Sequence, residues 1–331
     1  MDKLLALFDG NAIIHRAYHA FQATKYRSAT PLTVSATGEI VSAVYGFALM
    51  LLKVLGDLKP SHCAIAFDKK GPTFRHRLFD QYKAHRPPAP DELVNQIGRV
   101  KELVEAFNIP IFEIENYEAD DVLGTLSLQA SRKDIDTVIV TGDADTMQLV
   151  SPRVKVLSPK PGRSFSDTVL FDEGAVEEKY GVRPQLIADL KGLVGDSSDN
   201  IPGVSGIGSK TAVKLIRQFG TIEQIYEHIG EVTPSKLQEK LRESEEIARR
   251  SKELATIVTE TPVTLDMAEC RLSNYDRERV ARLFRELEFS SLLPKLPGGG
   301  TGQMAMDLSP GSSPVQVAAE SPAVNLSLIH I

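Results

Sequence analysis

The fold is decided by the stretch Leu4-Leu5-Ala6-Leu7-Phe8-Asp9, a short apolar run that ends in an acid. Two later runs share this design, at residues 63–67 before Asp68 and at residues 136–141 before Asp143 and Asp145. Apolar runs of this length with little alternation are typical of strands buried on both faces, as in a parallel sheet. The three runs therefore predict three strands of such a sheet, each followed by a carboxylate.

Helical patterns lie between these runs, at residues 42–55, 90–107 and 118–130. Strands that alternate with helices in this way imply a doubly wound α/β domain. Ligands of such a sheet bind outside the carboxyl ends of its strands. Each of the three runs therefore places its acid at the carboxyl edge of the sheet, where ligand binding is expected.

The region from residue 182 to residue 293 contains helical patterns and no convincing strand run. Helices are predicted at residues 222–229, 235–251 and 276–287, and another follows the glycine-rich stretch at residues 203–208. Beyond Pro294 the sequence is rich in Pro, Gly, Ser and Ala, which is typical of a linker or disordered tail. We therefore predict an α/β domain over residues 1–180, an all-helical domain over 181–293 and a tail over 294–331.

The bulk composition limits the class of protein. The chain has 331 residues, 42% hydrophobic and 25% charged, which is ordinary for a protein that buries a core. Its two cysteines, Cys63 and Cys270, offer no disulfide framework, and the sequence shows no signal peptide and no stretch long enough to span a bilayer. We therefore expect a soluble, cytoplasmic protein without a membrane partner.

The formal net charge of −6 argues at first against a nucleic-acid partner. However, six Lys or Arg residues and one acid lie between Lys69 and Arg86, and Lys210, Lys214 and Arg217 form a second basic cluster. A protein that holds metal ions with many carboxylates is acidic overall even when its binding faces are basic. The distribution of charge is therefore compatible with a DNA partner.

Nine acids are candidates for one site at the sheet edge. They are Asp9, Asp68, Glu118, Asp120, Asp121, Asp143, Asp145, Asp196 and Asp199. Taken singly, each could be an ordinary turn residue or the start of a helix. Together they would repel one another by several kcal/mol unless cations neutralised them, and hard divalent cations take oxygen ligands. The set therefore predicts two or more Mg²⁺ or Mn²⁺ ions, which suit phosphodiester hydrolysis, although acids alone do not distinguish a nuclease from a phosphatase.

A basic segment at residues 74–87 lies between the second and third acid sites. Its Lys and Arg residues alternate with Phe74, Phe79 and Tyr82, a mixture suited to phosphates and stacked, unpaired bases. The alternative is a solvated, positively charged helix. Its position directly after a strand of the acid site favours a function in binding.

The glycine-rich stretch at residues 203–211 differs from a nucleotide-binding P-loop, because Ser209 separates its last glycine from Lys210. It is better interpreted as a tight hairpin between two helices, whose backbone N–H groups contact phosphate. Lys210 and Lys214 lie one helical turn apart and would face the same duplex backbone.

Six motifs carry a resemblance to a known family. They are Phe8-Asp9-Gly10 with Arg16; Ala66-Phe67-Asp68; Phe74-Arg75 with Tyr82-Lys83 and Arg86; Tyr117-Glu118-Ala119-Asp120-Asp121; Thr141-Gly142-Asp143-Ala144-Asp145; and Gly195-Asp196-Ser197-Ser198-Asp199-Asn200 leading into Gly206-Ile207-Gly208. From about Leu4 to Leu293 the chain resembles the flap endonuclease superfamily, and within it the 5′ nuclease domain of bacterial DNA polymerase I.

The resemblance implies a PIN-like, doubly wound, mostly parallel sheet with a C-terminal all-helical DNA-binding domain of the helix-hairpin-helix type, often with bound K⁺. It implies one metal ion at Asp9, Asp68, Glu118 and Asp120, a second at Asp143, Asp145, Asp196 and Asp199, and Asp121 beside or between them. It implies phosphate contacts from Arg16, Arg75, Lys83 and Arg86 beneath a helical arch, with Tyr82 stacked on a base. It implies a DNA grip at Gly206, Gly208, Lys210, Thr211 and Lys214.

The implied activity is structure-dependent 5′-3′ exonuclease and flap endonuclease cleavage of 5′-flap, nicked or gapped DNA, for primer removal and repair. The family domain normally continues into a polymerase, so a free-standing nuclease and a fragment with a polymerase domain in cis are both open. One alternative is an inactive branched-DNA-binding module of the same fold, which the full set of acids disfavours. Another is a haloacid-dehalogenase-like phosphatase, which would need an Asp where Asn11 stands.

Overall fold

The computed structural model describes residues 3–22, 31–160, 167–272 and 275–297. In these ranges one sheet has six strands in the order β3-β2-β1-β4-β5-β6. The strands are β1 Leu4–Asp9, β2 His62–Ala66, β3 Ile111–Phe112, β4 Asp136–Val140, β5 Val154–Pro159 and β6 Thr168–Phe171. All neighbours pair in parallel except β5 and β6, so the predicted mostly parallel sheet is confirmed.

Helices lie on both faces of the sheet and recur through the C-terminal part of the described chain. They are α1 Gly10–Gln22, α2 Ser42–Leu58, α3 Phe74–Leu78, α4 Asp91–Ala106, α5 Ala119–Ser131, α6 Glu173–Tyr180, α7 Ile187–Val194, α8 Ser209–Phe219, α9 Ile222–Glu227, α10 Ser235–Glu243, α11 Glu245–Ala255 and α12 Arg277–Glu286. Short 3-10 turns lie at Asp145–Leu149, Pro184–Leu186, Ile229–Glu231 and Ser290–Lys295. None of these helices is long and apolar enough to cross a membrane.

The two faces of the sheet bury separate cores, because alternate side chains of β1 point to opposite sides. Ala6 and Phe8 face one core with α1, α2, α4 and α12, whereas Leu5 and Leu7 face the other with α5 and parts of α7 and α8. The last helix, α12, thus packs in the first core although it comes late in the chain. Helices on both faces make the sheet doubly wound.

The strand register brings the acids to one edge. In β1, Asp9 is opposite Ala66 of β2, and Phe8 is opposite Val140 of β4. The carboxyl ends of these three central strands are therefore level, and Asp68 and Asp143 follow two and three residues beyond their strands. This edge is the place that the sequence predicted for ligand binding.

Several elements differ from the sequence prediction. The helix predicted at residues 235–251 is two helices, α10 and α11, that meet at Ser244. Leu296, which falls in the tail predicted from residue 294, is buried against the first core, and residues 298–331 lie outside the described part. The division at residue 180 stays a prediction.

Candidate active site

Asp9 stands at the centre of the carboxylate edge, between the end of β1 and the start of α1. It is buried, and its carboxylate accepts hydrogen bonds from the Ala12 N–H at 2.9 Å and the Thr141 hydroxyl at 2.7 Å. Burial raises the pKa of Asp9 to about 7, and the neighbouring Asp68 and Asp143 add to this effect. An acid in this setting ionises readily only if a cation is close.

Further acids surround Asp9 at the start of α5. The Asp68 carboxylate accepts a hydrogen bond from the Ala119 N–H at 2.8 Å, which ties the end of β2 to the first turn of α5. Asp120 lies in that turn, and desolvation, followed by the charges of Asp143 and Asp9, raises its pKa well above the usual value. The structure thus brings Asp9, Asp68 and Asp120 to one place.

These acids line a pocket of about 300 Å³. Its walls are Asp9, Asn11, Ala12, His15, Asp68, Lys83, Arg86, Glu118, Ala119, Asp120 and Asp143. A second pocket of about 340 Å³ lies between α8 and α10 and contains none of the nine acids. The acid-lined pocket is therefore the candidate active site.

Two predicted phosphate-binding cations, Lys83 and Arg86, enter this pocket. The Lys83 ammonium lies 3.0 Å from a Glu118 oxygen and 3.7 Å from an Asp199 oxygen. Lys83 has a φ of 54°, and its backbone N–H donates to the Asp199 carbonyl at 2.9 Å, which fixes this turn. Arg86 pairs with the Asp199 carboxylate and donates from Nε to the Ser198 carbonyl at 3.0 Å.

The predicted ligands of the second metal ion lie where the end of β4 meets the end of α7. The Asp145 N–H donates to the Asp143 carboxylate at 2.9 Å. The Lys191 ammonium hydrogen-bonds both Asp145 and Asp196. Sequence reasoning missed Lys191, as it missed Asn11 and His15, although its position five residues before Asp196 was a usable signal.

The donor chemistry of the site suits a hard divalent cation, because carboxylate oxygens dominate the pocket. As the side chains stand in the described ranges, no group of three or more Asp, Glu, His or Cys residues converges closely enough to hold an ion. Lys83, Arg86 and Lys191 instead neutralise Glu118, Asp199, Asp145 and Asp196. Coordination would therefore need these side chains to rearrange.

Two predicted site residues, Arg75 and Asp121, are elsewhere than expected. Their side chains are 3% and 0% exposed and form a two-pronged ion pair with N···O distances of 2.7 and 2.8 Å. Arg75 also donates to the carbonyls of Leu254 and Thr256 at the end of α11. Both side chains are therefore engaged in a buried junction, and the phosphate contact at Arg75 and the metal ligand at Asp121 stay predictions.

Tyr82 is another predicted site residue whose side chain does not face the open pocket. Its side chain is buried, and its hydroxyl hydrogen-bonds Asp199 at 2.9 Å and Glu118 at 3.1 Å. In this position the hydroxyl orients the two carboxylates, and the stacking of Tyr82 on a base stays a prediction. Arg16 donates to the Lys160 carbonyl at 2.7 Å, and its buried Nε has no hydrogen-bond partner in the described part, so a phosphate contact there stays a prediction.

The predicted DNA grip lies apart from the acids, on α8 and the hairpin before it. Gly206 has a φ of 75°, which glycine adopts readily, and Gly208 is the N-cap of α8. Ala212, Leu215 and Ile216 of α8 are buried, whereas Lys210 and Lys214 are exposed on its other side and Thr211 is half-buried. The Lys240 ammonium lies so close to Gly206 that a β-carbon there would meet it at 2.5 Å.

The architecture and site together define a class of protein. A mostly parallel α/β sheet with oxygen ligands at its carboxyl edge, followed by helices with an exposed basic face, is typical of a metal-dependent nuclease. The sequence matches the 5′-3′ exonuclease N-terminal resolvase-like domain at residues 4–181 and the 5′-3′ exonuclease C-terminal SAM fold at residues 182–278. The chain belongs to the 5′-3′ exonuclease family.

Similar proteins agree with this assignment. DNA polymerase I of Bacillus caldotenax is 45% identical over 296 residues, and that of Chloroflexus aurantiacus is 46% identical over 298 residues. Each match covers 89% of this chain but only 32% and 31% of the relative, so the chain spans about a third of their length. A bacteriophage T5 flap endonuclease, solved with DNA and metal ions, shares the fold with a TM-score of 0.61 and 20% identity, over 86% of this chain and 100% of that one.

Proposed function

We propose that this chain hydrolyses phosphodiester bonds near the 5′ ends of DNA, as a structure-dependent 5′-3′ exonuclease and flap endonuclease. The observation that carries the proposal is the pocket that places Asp9, Asp68 and Asp120 beside Lys83 and Arg86. Acids that fit metal ions and cations that fit phosphate, in one pocket, suit a phosphodiester better than a smaller or neutral substrate.

Asp9, Asp68, Glu118 and Asp120 would hold one divalent ion, and Asp143, Asp145, Asp196 and Asp199 the second, with Mg²⁺ or Mn²⁺ as the proposed ions. When bound, such a pair would supply an activated water and neutralise charge on the leaving oxygen. Support comes from the oxygen-rich donor set and from the raised pKa values of Asp9 and Asp120, which a bound cation would relieve.

The protein's own cations would position the phosphate. Lys83 and Arg86 pair with pocket carboxylates and could turn from them to phosphate oxygens, because both side chains are long and flexible at their ends. Arg16 would approach from α1 with its unpartnered Nε. Hydrolysis of the P–O3′ bond of the held phosphate would leave a 5′-phosphate on the downstream strand and a 3′-hydroxyl on the released fragment.

A separate part of the chain would hold the duplex. Gly206, Gly208, Lys210, Thr211 and Lys214 would contact backbone phosphates, in support of which α8 exposes its two lysines and begins at a glycine hairpin. The helical domain over residues 181–293 stays part of this proposal. A K⁺ ion at the hairpin would have to share the turn with the Lys240 ammonium, which already lies against Gly206.

The relatives suggest a biological setting. They are DNA polymerases I, and a polymerase domain in cis, primer removal and DNA repair in the cytoplasm are proposed for this chain on that basis. The solved T5 neighbour is a flap endonuclease in complex with DNA. We therefore propose 5′-flap, nicked or gapped duplexes, including RNA-primed ones, as substrates.

The test is incubation of the protein with a 5′-flap duplex carrying separate labels on the flap and on the downstream strand. We expect short products from the 5′ side in Mg²⁺ or Mn²⁺ and none in EDTA. A phosphatase would release inorganic phosphate and leave the strands intact. An inactive binding module would shift the duplex in a gel and release neither product, and either result would overturn the proposal.

A further inference from the structure

Lys191 has a place in the site that neither the sequence motifs nor the proposed mechanism uses. It lies on α7, and its ammonium hydrogen-bonds the carboxylates of Asp145 and Asp196 together. All three side chains are between 13% and 17% exposed, so water competes little for these contacts. Two of the four proposed ligands of the second ion are therefore joined by a side-chain cation.

The backbone around Lys191 is fixed, so this contact is not an accident of a loose side chain. Its helix neighbours Gly192 and Leu193 are buried, and a β-carbon on Gly192 would press on Ile222 and the Ala248 carbonyl. The Lys191 carbonyl accepts the Gly195 N–H at 2.7 Å, which ends α7 directly before Asp196. The packing of α7 thus holds the side chain of Lys191 beside these two acids.

Asp196 is also held by hydrogen bonds from Ser198. Asp196 accepts hydrogen bonds from the Ser198 N–H at 2.8 Å and the Ser198 hydroxyl at 2.6 Å. These bonds use one oxygen of Asp196, and Lys191 uses the other. An ion that bound Asp196 at the oxygen facing Lys191 would therefore compete with that ammonium, as would an ion at the Asp145 oxygen that accepts from it.

An ammonium and a divalent ion at these oxygens compete, because both cations would be attracted by the same two carboxylate charges. The lysine carries a single charge at hydrogen-bonding distance, whereas Mg²⁺ binds oxygens at about 2.1 Å with two charges. The two cations would also repel each other strongly at such separations. The lysine stem is flexible, so the ammonium can leave while α7 stays in place.

We propose that Lys191 is the resident counter-cation of the second metal position, which keeps Asp145 and Asp196 together in the metal-free protein and lowers the affinity for the second ion by competing with it. This inference rests on the proposed metal ligands. It makes Lys191 a positioning residue, and it predicts that loading of the second ion releases an ammonium beside the pocket.

The test is calorimetric titration of Mn²⁺, without DNA, into the wild type, Lys191→Met, Lys191→Arg and Lys53→Met. Lys53 pairs with Asp57 on α2, away from the pocket, and is the matched control for loss of a lysine–aspartate pair. Lys191→Met should bind the weaker of two Mn²⁺ ions at least about tenfold more tightly, because its competitor is gone. Lys191→Arg keeps the charge, so both it and Lys53→Met should stay near the wild type.

Thermal unfolding gives a second readout. In EDTA, Lys191→Met should unfold at a lower temperature than the wild type, since two carboxylates then face each other without a cation, and Mn²⁺ should remove the difference. The counter-cation role would be wrong if Lys191→Met bound the second Mn²⁺ no more tightly than the wild type. It would also be wrong if Lys191→Met unfolded in EDTA at the same temperature as the wild type. In either case the proposed function would stand. If the wild type bound no Mn²⁺ at all, both would fall.

Discussion

Lys83 is the residue whose position depends most on the folded site. Its left-handed backbone and its contacts to Glu118 and Asp199 hold the ammonium at the pocket. Lys83→Ala should lower the single-turnover cleavage rate by roughly 100-fold, because a donor to the charged transition state is lost, with little change in DNA affinity. Lys70→Ala, which changes an exposed lysine shortly before the basic segment, is the control. A loss confined to affinity would make Lys83 a binding residue instead.

For Arg75 and Asp121 we expect substitutions to reduce the stability of the fold, in contrast to the loss of cleavage rate expected for Lys83. Because they form a buried ion pair at the junction of α3, α5 and the end of α11, Arg75→Met should reduce the free energy of unfolding by about 3–5 kcal/mol. Asp121→Leu added to Arg75→Met should restore part of the loss, since no buried charge then lacks a partner. Urea unfolding measures both. Normal stability with abolished cleavage would support the phosphate contact first predicted for Arg75.

These residues also mark the limit of sequence reasoning. Asp9, Asp68 and Asp143 could be predicted because each follows a strand, and strand ends in a parallel sheet meet by necessity. Arg75 and Tyr82 look like surface residues of a basic segment, and only the packing of that segment on α11 buries them. Lys191 was missed because its helix is short and one of its partners, Asp145, lies 46 residues away in sequence, although the other, Asp196, lies close by.

At the scale of elements, prediction succeeded where an element has a long apolar pattern. The helices α2, α4 and α5 lie within a few residues of their predicted bounds. The strand β3 has only 2 residues, and the apolar run of β6 is confined to Val169, Leu170 and Phe171, so both are shorter than the runs that identify a buried strand. The break between α10 and α11 is invisible in the periodicity because both helices are amphipathic and continuous in sequence.

The hairpin and α8 make a prediction of their own. Lys210→Ala should weaken flap binding for all sequences alike and flatten the slope of log K against log salt by roughly one unit per lost phosphate contact. Its effect on the single-turnover rate at saturating DNA should be small, because α8 is not part of the acid-lined pocket. Salt titrations in Ca²⁺, with Lys53→Ala as control, measure the slope. An unchanged slope would mean that α8 does not hold DNA.

At the scale of the whole molecule, the buried acids of the site should lower the free energy of unfolding when they are ionised and no metal is bound. Burial raises the pKa of Asp9 to about 7 and that of Asp145 to about 6, above their unfolded values, so the folded state binds more protons between about pH 4 and 7. Their contribution to the free energy of unfolding therefore falls as pH rises through this range. Asp196, whose pKa hydrogen bonds from Lys191 and Ser198 lower to about 2 against the effect of burial, is ionised throughout.

Mg²⁺ should reverse this loss, because it binds the ionised acids. We expect the gain in unfolding free energy from saturating Mg²⁺ to be larger at about pH 7.5 than at about pH 5. Burial also lowers the pKa values of His15 and His62; the comparison with and without Mg²⁺ at each pH removes the effect of His62, whereas His15, which lines the pocket, contributes together with the acids. Urea unfolding at both pH values is the measurement. An equal gain at both would show that the pocket acids do not bind the ion.

The central claim is that the acids at the sheet edge cut DNA with bound metal, while another part of the chain holds it. The most direct test compares Asp120→Asn with the wild type on a labelled 5′-flap duplex, by single-turnover rates in Mg²⁺ and binding in Ca²⁺. The rate should fall at least about 100-fold, and affinity should stay level or rise, because a ligand and a negative charge facing DNA are both removed. Cleavage by Asp120→Asn at the wild-type rate would contradict the account.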